Sequence, residues 1–427
     1  MVIGTIIGAS IFVQPSLVSG AVPSLSGMLL VWAAAGVLTL IGALVTAELA
    51  SAFPGTGGVY VFLRESYSPA VGFLWCWAMF WSMHTGIIAA IATVCARYVG
   101  FFVPLGDTGV RIVAIGAILL LSGVNYAGVR YGTAVQTTFT IIKVAAVVLI
   151  VAAGFAAPRA TMPVADPSGS ALVPSLRAFV TATVAGLFAF GGWHMVTYTG
   201  DETVDARRTI PRALLIGTLA VTVSYIAVNA AYLAVLSPAA VASSNRVAAD
   251  FADRVMGSGG AAAMSALVVL STLGAMTGII LTGPRVYLAA AHDGLLFRWI
   301  GDIHPRYGTP HHAIALQAFW ASILVATGTY RTLFTRVVYT EWIFFGLMAA
   351  GVFVLRQRAG YSPAYRAWGY PALPLVFIVS TGFIVFNQLV SDPIESATGL
   401  LIVLAGLPIY YLRTARLNSR TATHADH

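Results

Sequence analysis

Long runs of mostly apolar residues recur along the whole chain, separated by short breaks rich in proline, glycine and charge. Most runs reach about 20 residues, the length that an α-helix needs to cross the hydrocarbon core of a bilayer. A secretory signal peptide would give a single run near the start, so the recurrence predicts an all-α integral membrane protein. We number about twelve transmembrane spans in chain order, with approximate bounds 2–20, 26–52, 70–103, 110–128, 132–156, 175–200, 212–236, 263–291, 312–329, 335–355, 372–391 and 396–413.

Composition and charge agree with a membrane protein. Charged residues make up 9% of the chain and hydrophobic residues 59%, whereas soluble domains carry about 25% charged residues. The net charge of +8 could suggest nucleic acid, but the arginines stand singly or in short clusters and form no basic stripe. We therefore expect membrane lipid around the chain and no nucleic-acid partner.

The distribution of arginine predicts the orientation. An even number of spans places both termini on one side, and with that side cytoplasmic the inner loops hold 14 arginines against 8 on the outer side. Positive residues concentrate in cytoplasmic loops. We therefore predict a multi-pass protein of the cell membrane with both termini in the cytoplasm.

Glycine interrupts two spans at corresponding places. Span 1 contains Gly4 and Gly8, and span 6 contains Gly186, Gly191 and Gly192. Glycine weakens a helix by about 1 kcal/mol relative to alanine, and paired interruptions in two halves of a chain mark transporter binding sites. The two lie five spans apart, as expected if spans 1–5 and 6–10 are repeats of opposite orientation. Close helix packing is the alternative explanation for such glycines.

An interrupted helix frees backbone groups that can bind a substrate. Unpaired backbone N–H and C=O groups are tolerated within a bilayer only where they line a cavity or bind something. The N-terminus of a half-helix attracts a carboxylate, and carbonyls at a C-terminus attract an ammonium group. A zwitterionic α-amino acid presents both groups, so the two breaks predict an amino acid site.

Motifs along the chain together resemble one known family. They are Gly4-Thr5-Ile6-Ile7-Gly8-Ala9-Ser10-Ile11-Phe12, Ala47-Glu48-Leu49 with Pro54, Gly57-Gly58 and Tyr60, Phe188-Ala189-Phe190-Gly191-Gly192-Trp193, Gly283-Pro284-Arg285 with His292-Asp293-Gly294, and Glu341-Trp342 with the Arg356 region. In this order they are similar to the amino acid–polyamine–organocation superfamily, and most similar to its bacterial L-amino-acid-transporter-like branch.

The resemblance implies a LeuT-like fold of twelve helices, in which helices 1 and 6 are broken and a 5+5 inverted repeat is followed by two further helices. Mapped onto this chain, residues 1–156 form the first repeat and 175–357 the inverted second repeat. Residues 371–414 form the two additional helices, and 415–427 a cytoplasmic tail. The family also has a cytoplasmic half-helix before the first motif, whereas only three residues precede Gly4 here. We therefore expect helix 1 to be truncated at its N-terminus and the inner gate to be incomplete.

The resemblance also implies the substrate-binding residues. Backbone amides of the first break would meet the substrate carboxylate, carbonyls of both breaks its ammonium group, and aromatic side chains its side chain. The implied set is Ile6, Gly8, Ala9, Ser10, Phe188, Ala189, Phe190, Gly191, Trp193 and His194. This chain departs from the family motif G-S-G-I-F because Ala9 and Ser10 replace its serine and second glycine. The hydroxyl of Ser10 is expected to narrow the pocket.

Lys143 is the only lysine of the chain and stands well inside span 5. Helix rise from residue 132 places it about 16 Å deep, too deep for its side chain to reach the interface easily. Charges at this depth usually face the bundle and are functional. In sodium-independent relatives that resemble this chain, a lysine of helix 5 occupies the place of a sodium ion. We therefore expect sodium-independent transport, with Lys143 linking helices 5 and 1 and as a candidate carrier of a coupling proton.

Other polar residues of the spans have mainly structural interpretations. Glu48 and Glu341 are candidates for proton transfer, but structural pairing near the helix ends is the simpler explanation. Packing is the simpler explanation for His84, and His194 fits packing or pocket contact equally. The charged loop 201–208 is expected to be solvated, with gate salt bridges as the alternative.

The two cysteines predict neither a disulfide nor a metal site. Cys76 and Cys95 fall in one span, roughly 28 Å apart by helix rise, which exceeds disulfide reach. Some relatives pair with a single-span glycoprotein through a cysteine in the loop after span 3. Neither cysteine falls there, so we expect no disulfide-linked accessory subunit and no cofactor.

These observations predict a secondary transporter of L-amino acids that works by alternating access, as a proton symporter or an exchanger. One alternative is a polyamine or amine–amino acid antiporter, which would need an anionic group that the two breaks do not supply. Another is an amino acid sensor that moves nothing, but the sequence shows no signalling domain. An enzyme is disfavoured because no metal cluster, nucleophile–base pair or cofactor motif is recognisable.

Overall fold

The computed structural model describes residues 1–425 except 9, 158–174, 258 and 329, and for 129, 130, 133, 330–338 and 416–425 it describes the backbone only. All regular elements in this part of the chain are helical. They are α1 (Val2–Ile6), α2 (Gln14–Ala21), α3 (Leu25–Ala52), α4 (Val59–Ser66), α5 (Pro69–Ala78), α6 (His84–Val99), α7 (Asp107–Tyr126), α8 (Val129–Ala156), α9 (Leu176–Ala189), α10 (Ala206–Val235), α11 (Pro238–Ser243), α12 (Val247–Met256), α13 (Gly260–His292), α14 (His311–Thr327), α15 (Tyr330–Arg356), α16 (Ala372–Ser391), α17 (Pro393–Leu404) and α18 (Gly406–Ala425).

Ten helical segments among the described residues are long and apolar enough to cross a membrane. They coincide with predicted spans 2–8 and 10–12. Predicted span 1 corresponds to the interrupted pair α1 and α2, and predicted span 9 to the 17-residue helix α14. The prediction of an all-helical membrane protein is therefore confirmed. The inverted repeat and the domain bounds 1–156, 175–357, 371–414 and 415–427 stay predictions.

Both interruptions lie where glycine predicted them. In the first, α1 ends at Ile6, Ile7 is extended, and a short 3₁₀ turn at Ser10–Phe12 leads into α2. In the second, α9 ends at Ala189, and Gly192 adopts a left-handed conformation with φ +93° before a 3₁₀ helix at Trp193–Glu202. Each span therefore crosses the bundle as two half-helices with a non-helical turn between them.

Three short helices and one irregular turn were not predicted from the sequence. Helix α4 fills the loop after α3, while α11 and α12 lie between α10 and α13. The third span contains a π-helical turn at Met79–Met83 between α5 and α6. Hydrophobic periodicity does not reveal a π turn because its residues are as apolar as those of the flanking helices.

The interior is built by long helices packed against one another. Helix α3 packs along α10, and α13 packs against α6 and α8. Small residues permit close approach: a Cβ atom at Gly36 of α3 would lie 2.2 Å from the Thr222 side chain of α10. Lipid tails are as apolar as leucine, so such close packing rather than hydrophobic burial holds membrane helices together.

Candidate substrate-binding site

The two breaks touch each other in the middle of the bundle. Helix α1 contacts the 3₁₀ helix that follows α9. A Cβ atom added at Gly192 would lie 3.2 Å from the carbonyl oxygen of Thr5. The left-handed backbone and this close approach together explain why glycine occupies position 192. The turn of span 6 is thereby held directly against the end of α1.

The hydroxyl of Tyr225 joins the two breaks. It lies 2.9 Å from the carbonyl oxygen of Ile6 and 3.0 Å from that of Ala189, the last residues of α1 and α9. The single proton of the hydroxyl is donated to one carbonyl at a time or shared between them. Both helix C-termini, with their partial negative charges, point to this position. The sequence did not indicate Tyr225, which is one of several tyrosines in apolar surroundings.

A small cavity of about 30 Å³ lies between the breaks. On a scale where about 10–15 Å³ holds one water, it has room for about two waters. Its walls come from both broken helices, from α6, α13 and α15. The lining residues are Thr5, Ile6, Gly8, Ser10, Ile87, Ile91, Leu187, Phe188, Gly191, Trp193, Met195, Ile279, Glu341, Trp342 and Phe345.

Most residues of the expected binding set meet at this cavity. Ile6, Gly8, Ser10, Phe188, Gly191 and Trp193 line it. Ala189 and Phe190 lie beside Tyr225, the former through its carbonyl group and the latter with its ring 5.0 Å from the tyrosine ring. Ala9 lies outside the described residues.

The two buried histidines have different surroundings. The Nε2 atom of His84 is 2.8 Å from the carbonyl oxygen of Ile279, in agreement with a packing residue. The His194 ring makes edge-to-face contacts with Phe345 and Trp75, with ring centroids 4.8 and 5.9 Å apart. It is not among the residues that line the cavity. Its two ring nitrogens make no hydrogen bond within the described structure.

Lys143 reaches α1 from α8. Its buried ammonium group donates a hydrogen bond of 2.8 Å to the carbonyl oxygen of Gly4. Gly4 permits this approach, because a Cβ atom there would lie 2.2 Å from the Thr140 side chain, one turn before Lys143. The lone lysine is thus in direct contact with the half-helix that precedes the first break.

Glu48 is paired as predicted, near the end of α3. Arg356 of α15 contacts its carboxylate through two hydrogen bonds of 2.9 and 2.6 Å. The backbone N–H of Ala367 and the hydroxyl of Tyr361 donate further hydrogen bonds to this carboxylate, at 2.7 and 3.3 Å. These contacts satisfy the carboxylate within the structure, so the structural interpretation of Glu48 is confirmed.

The expected structural pairing of Glu341 is wrong. Glu341 lies within α15 and lines the cavity, its side chain is 4% exposed, and its Oε1 atom makes no hydrogen bond to any described residue. The sequence places it mid-span but does not show which way it faces. A buried carboxyl group that aims into the cavity is therefore a feature of the site that sequence reasoning missed.

A cluster that we call the charged layer lies around the C-terminal part of α13 and consists of Tyr60, Arg64, Glu202, Arg285 and Asp293. Arg285 of α13 contacts Glu202 at 2.8 Å. Asp293, just after α13, accepts hydrogen bonds from Arg64 and from Tyr60 of α4. Burial, followed by the hydrogen bond to Asp293, raises the pKa of Tyr60, so its hydroxyl remains a donor at neutral pH.

The prediction that the charged loop 201–208 is solvated is confirmed. All five of its charged residues are exposed, and they are Asp201, Glu202, Asp205, Arg207 and Arg208. Asp201 accepts a 3.1 Å hydrogen bond from the backbone of Thr56, and Glu202 belongs to the charged layer. The alternative, salt bridges of a gate, applies to Glu202, because Glu202 forms an ion pair with Arg285.

Comparison with known proteins agrees with this architecture. Residues 1–411 match the family described as Amino acid permease. The rabbit (Oryctolagus cuniculus) Large neutral amino acids transporter small subunit 2 is 31% identical over 96% of this chain and 78% of its own length. The mouse (Mus musculus) Asc-type amino acid transporter 1 is 31% identical over 96% of this chain and 79% of its own. The Serine/threonine exchanger SteT of Bacillus subtilis is 32% identical over 96% of this chain and 94% of its own.

The family match covers nearly the whole chain, including both breaks, Tyr225 and Glu341. The relatives are transporters and not enzymes, and their full-length similarity agrees with an all-helical membrane protein built around two interrupted helices. The motifs identified in the sequence had indicated the same superfamily. This chain belongs to the amino acid permease family.

Proposed function

We propose that this permease moves L-amino acids across the cell membrane by alternating access around the two broken helices, without sodium. The observation that carries the proposal is that both breaks end at one cavity, where two helix C-termini and the backbone of the span 1 turn converge. Fixed backbone dipoles of this kind match the two charges of an α-amino acid.

Within this site, the substrate carboxylate would bind the backbone amides of Gly8, Ala9 and Ser10. The ammonium group would bind the carbonyls of Ile6, Phe188, Ala189 and Phe190, with Gly191, Trp193 and His194 shaping the pocket. The contacts of Tyr225 support this assignment because each carbonyl has two lone pairs and can accept a second hydrogen bond. Phe188 lines the cavity and would close over the substrate.

Lys143 would replace a bound sodium ion. Its contact with the Gly4 carbonyl brings a positive charge to the half-helix before the break, where a cation would otherwise neutralise the exposed carbonyls. This contact supports sodium-independent transport. The candidate coupling ion is a proton that Lys143 would carry.

Exchange is the first transport mode to test, because a bacterial relative is by name a serine/threonine exchanger. Proton symport is the second. Both cysteines are buried, which supports a protein that works without a disulfide-linked accessory subunit. The excess of arginine in alternate loops supports cytoplasmic termini.

The test is uptake of labelled L-amino acids into sodium-free proteoliposomes. One half of the vesicles contains unlabelled amino acids, and each half is assayed with and without an inward proton gradient. Saturable uptake that requires internal amino acid would identify an exchanger, and uptake that requires the gradient would identify a symporter. Uptake that occurs only with added sodium would contradict the proposed role of Lys143.

A further inference from the structure

Among the described residues that line the cavity, Glu341 carries the only charged side chain. The other side chains of the α15 and α6 walls are apolar or aromatic, among them Ile87, Ile91 and Phe345. Glu341 and Phe345 are one helical turn apart and so share one face of α15, and Trp342 beside them also lines the space between the breaks. The substrate side chain must occupy this side if its α-amino and carboxyl groups are held by the breaks.

The carboxyl group of Glu341 has unused hydrogen-bonding capacity. Its Oε1 atom is buried and makes no hydrogen bond to the described residues. Glu48 offers a comparison within the same protein, because its buried carboxylate contacts Arg356, Tyr361 and a backbone amide. A buried polar atom left without a partner is costly, and a donor group on the substrate would remove that cost.

We propose that Glu341 selects substrates whose side chain ends in a hydrogen-bond donor, a hydroxyl or an ammonium group. This inference rests on the proposed function and specifies its substrate class. An ionised carboxylate accepts a hydrogen bond from either group, and a protonated one still accepts through its carbonyl oxygen. An aliphatic side chain of the same shape would enclose the carboxyl group without satisfying it, which is how polar sites reject isosteres.

The selection is measured with pairs of substrates that differ only in the donor. Threonine and valine compare a hydroxyl with a methyl group, and 2,4-diaminobutyrate and norvaline compare an ammonium with a methyl group. Initial uptake of each labelled compound into proteoliposomes gives kcat/KM. We expect wild type to favour the donor-bearing member by about tenfold or more in at least one pair. Preferences below twofold in both pairs would overturn the inference.

Two substitutions at position 341 test whether Glu341 causes the preference and whether it recognises a hydroxyl or an ammonium group. Glu341→Met keeps the length of the side chain and removes the acceptor, so the preference should fall to about twofold or less. Glu341→Gln keeps an acceptor without charge, so a hydroxyl preference should survive and an ammonium preference should be lost. An unchanged preference in Glu341→Met would overturn the inference, and Glu341→Leu serves as a second apolar variant if the first does not fold.

The matched control is Asp253→Asn. It makes the same carboxyl-to-amide change on the exposed side of α12, away from the cavity, and all preferences should equal those of wild type. Failure of this inference is distinct from failure of the proposed function. Uptake of all four compounds without preference contradicts the role of Glu341, whereas no uptake of any amino acid contradicts transport itself.

Discussion

Three buried ionisable side chains of the helices differ in how their hydrogen-bonding capacity is satisfied. Lys143 donates a hydrogen bond to the Gly4 carbonyl, and Glu48 accepts hydrogen bonds from Arg356. The Oε1 atom of Glu341 makes no hydrogen bond in the described structure. Within a bilayer each group must find a partner or remain costly. Satisfied groups brace the helices, and the group that remains unsatisfied is the one available to a ligand.

Lys143→Ala should abolish uptake. It removes the hydrogen bond to Gly4 and the positive charge beside the first break, so the half-helix α1 loses this polar link to α8. Uptake into proteoliposomes is measured at several pH values, with the monodisperse fraction after size exclusion as a check of folding. Wild-type uptake at every pH would contradict both the bracing and the proton-carrying roles.

Tyr225→Phe should lower uptake by about tenfold while the protein remains folded. The ring contacts with Trp32 and Phe190 persist, but the carbonyls of Ile6 and Ala189 lose their shared donor. A single hydrogen bond contributes about 0.5–1.5 kcal/mol to stability, so the melting temperature should change little. Tyr411→Phe, at a ring that is 63% exposed, is the control. Unchanged uptake in Tyr225→Phe would show that the bridge is dispensable.

At the scale of elements, the candidate site is built where two helices stop being helical. Each break leaves helix termini inside the bundle, and their backbone groups are tolerated there only with close neighbours or a ligand. Gly192 lies close to the carbonyl oxygen of Thr5, and the Tyr225 hydroxyl contacts the carbonyl groups at both helix ends. Because the two turns touch in this way, we expect a change in one turn to be transmitted to the other.

Gly192→Ala tests this coupling. The new Cβ atom would lie 3.2 Å from the Thr5 carbonyl oxygen on a backbone with φ +93°, which is unfavourable by roughly 1–2 kcal/mol. Uptake should fall at least about tenfold, because the two breaks must separate. Gly116→Ala in α7 is the control, since nothing lies within 4 Å of its added Cβ. Equal uptake of both variants would argue against a tight junction.

At the scale of the whole molecule, the described conformation leaves little space between the breaks. The cavity has room for little more than water, and the charged layer joins the end of α13 to its neighbours through ion pairs between Arg285 and Glu202 and between Arg64 and Asp293. An amino acid enters this cavity only if its walls separate. If access alternates as proposed, we expect the charged layer to break and reform in each cycle.

In the Glu202→Ala variant, we expect the charged layer to separate more often than in wild type. The Arg285–Glu202 pair is half-exposed on the glutamate side, so its loss should shift the equilibrium by at most about 1 kcal/mol, a factor of about five. Cys76 lies near Tyr60 of the charged layer, and its labelling by a membrane-impermeant maleimide should accelerate accordingly. Cys95, at the opposite end of the same span, is the internal control. Equal acceleration at both cysteines would indicate general loosening.

Short stretches of sequence were enough to predict the spans, the two breaks and the need of Lys143 for a partner within the bundle. Helix length in a bilayer is set by local hydrophobicity, glycine weakens a helix wherever it stands, and a single lysine deep in an apolar run requires a partner. These properties belong to short stretches of chain, so they are readable without knowledge of the neighbours. The family motifs then supplied the order of the helices.

The rotation of each helix about its own axis became visible only once the helices were packed together. In a membrane the faces toward lipid and toward other helices are both apolar, so periodicity does not show whether Glu341 faces the cavity or a neighbouring helix. The same ambiguity hid Tyr225, whose two carbonyl partners lie 219 and 36 residues away in sequence. Glu48 and Glu341 look alike in the sequence, and packing alone pairs one with an arginine and leaves the other facing the cavity between the breaks.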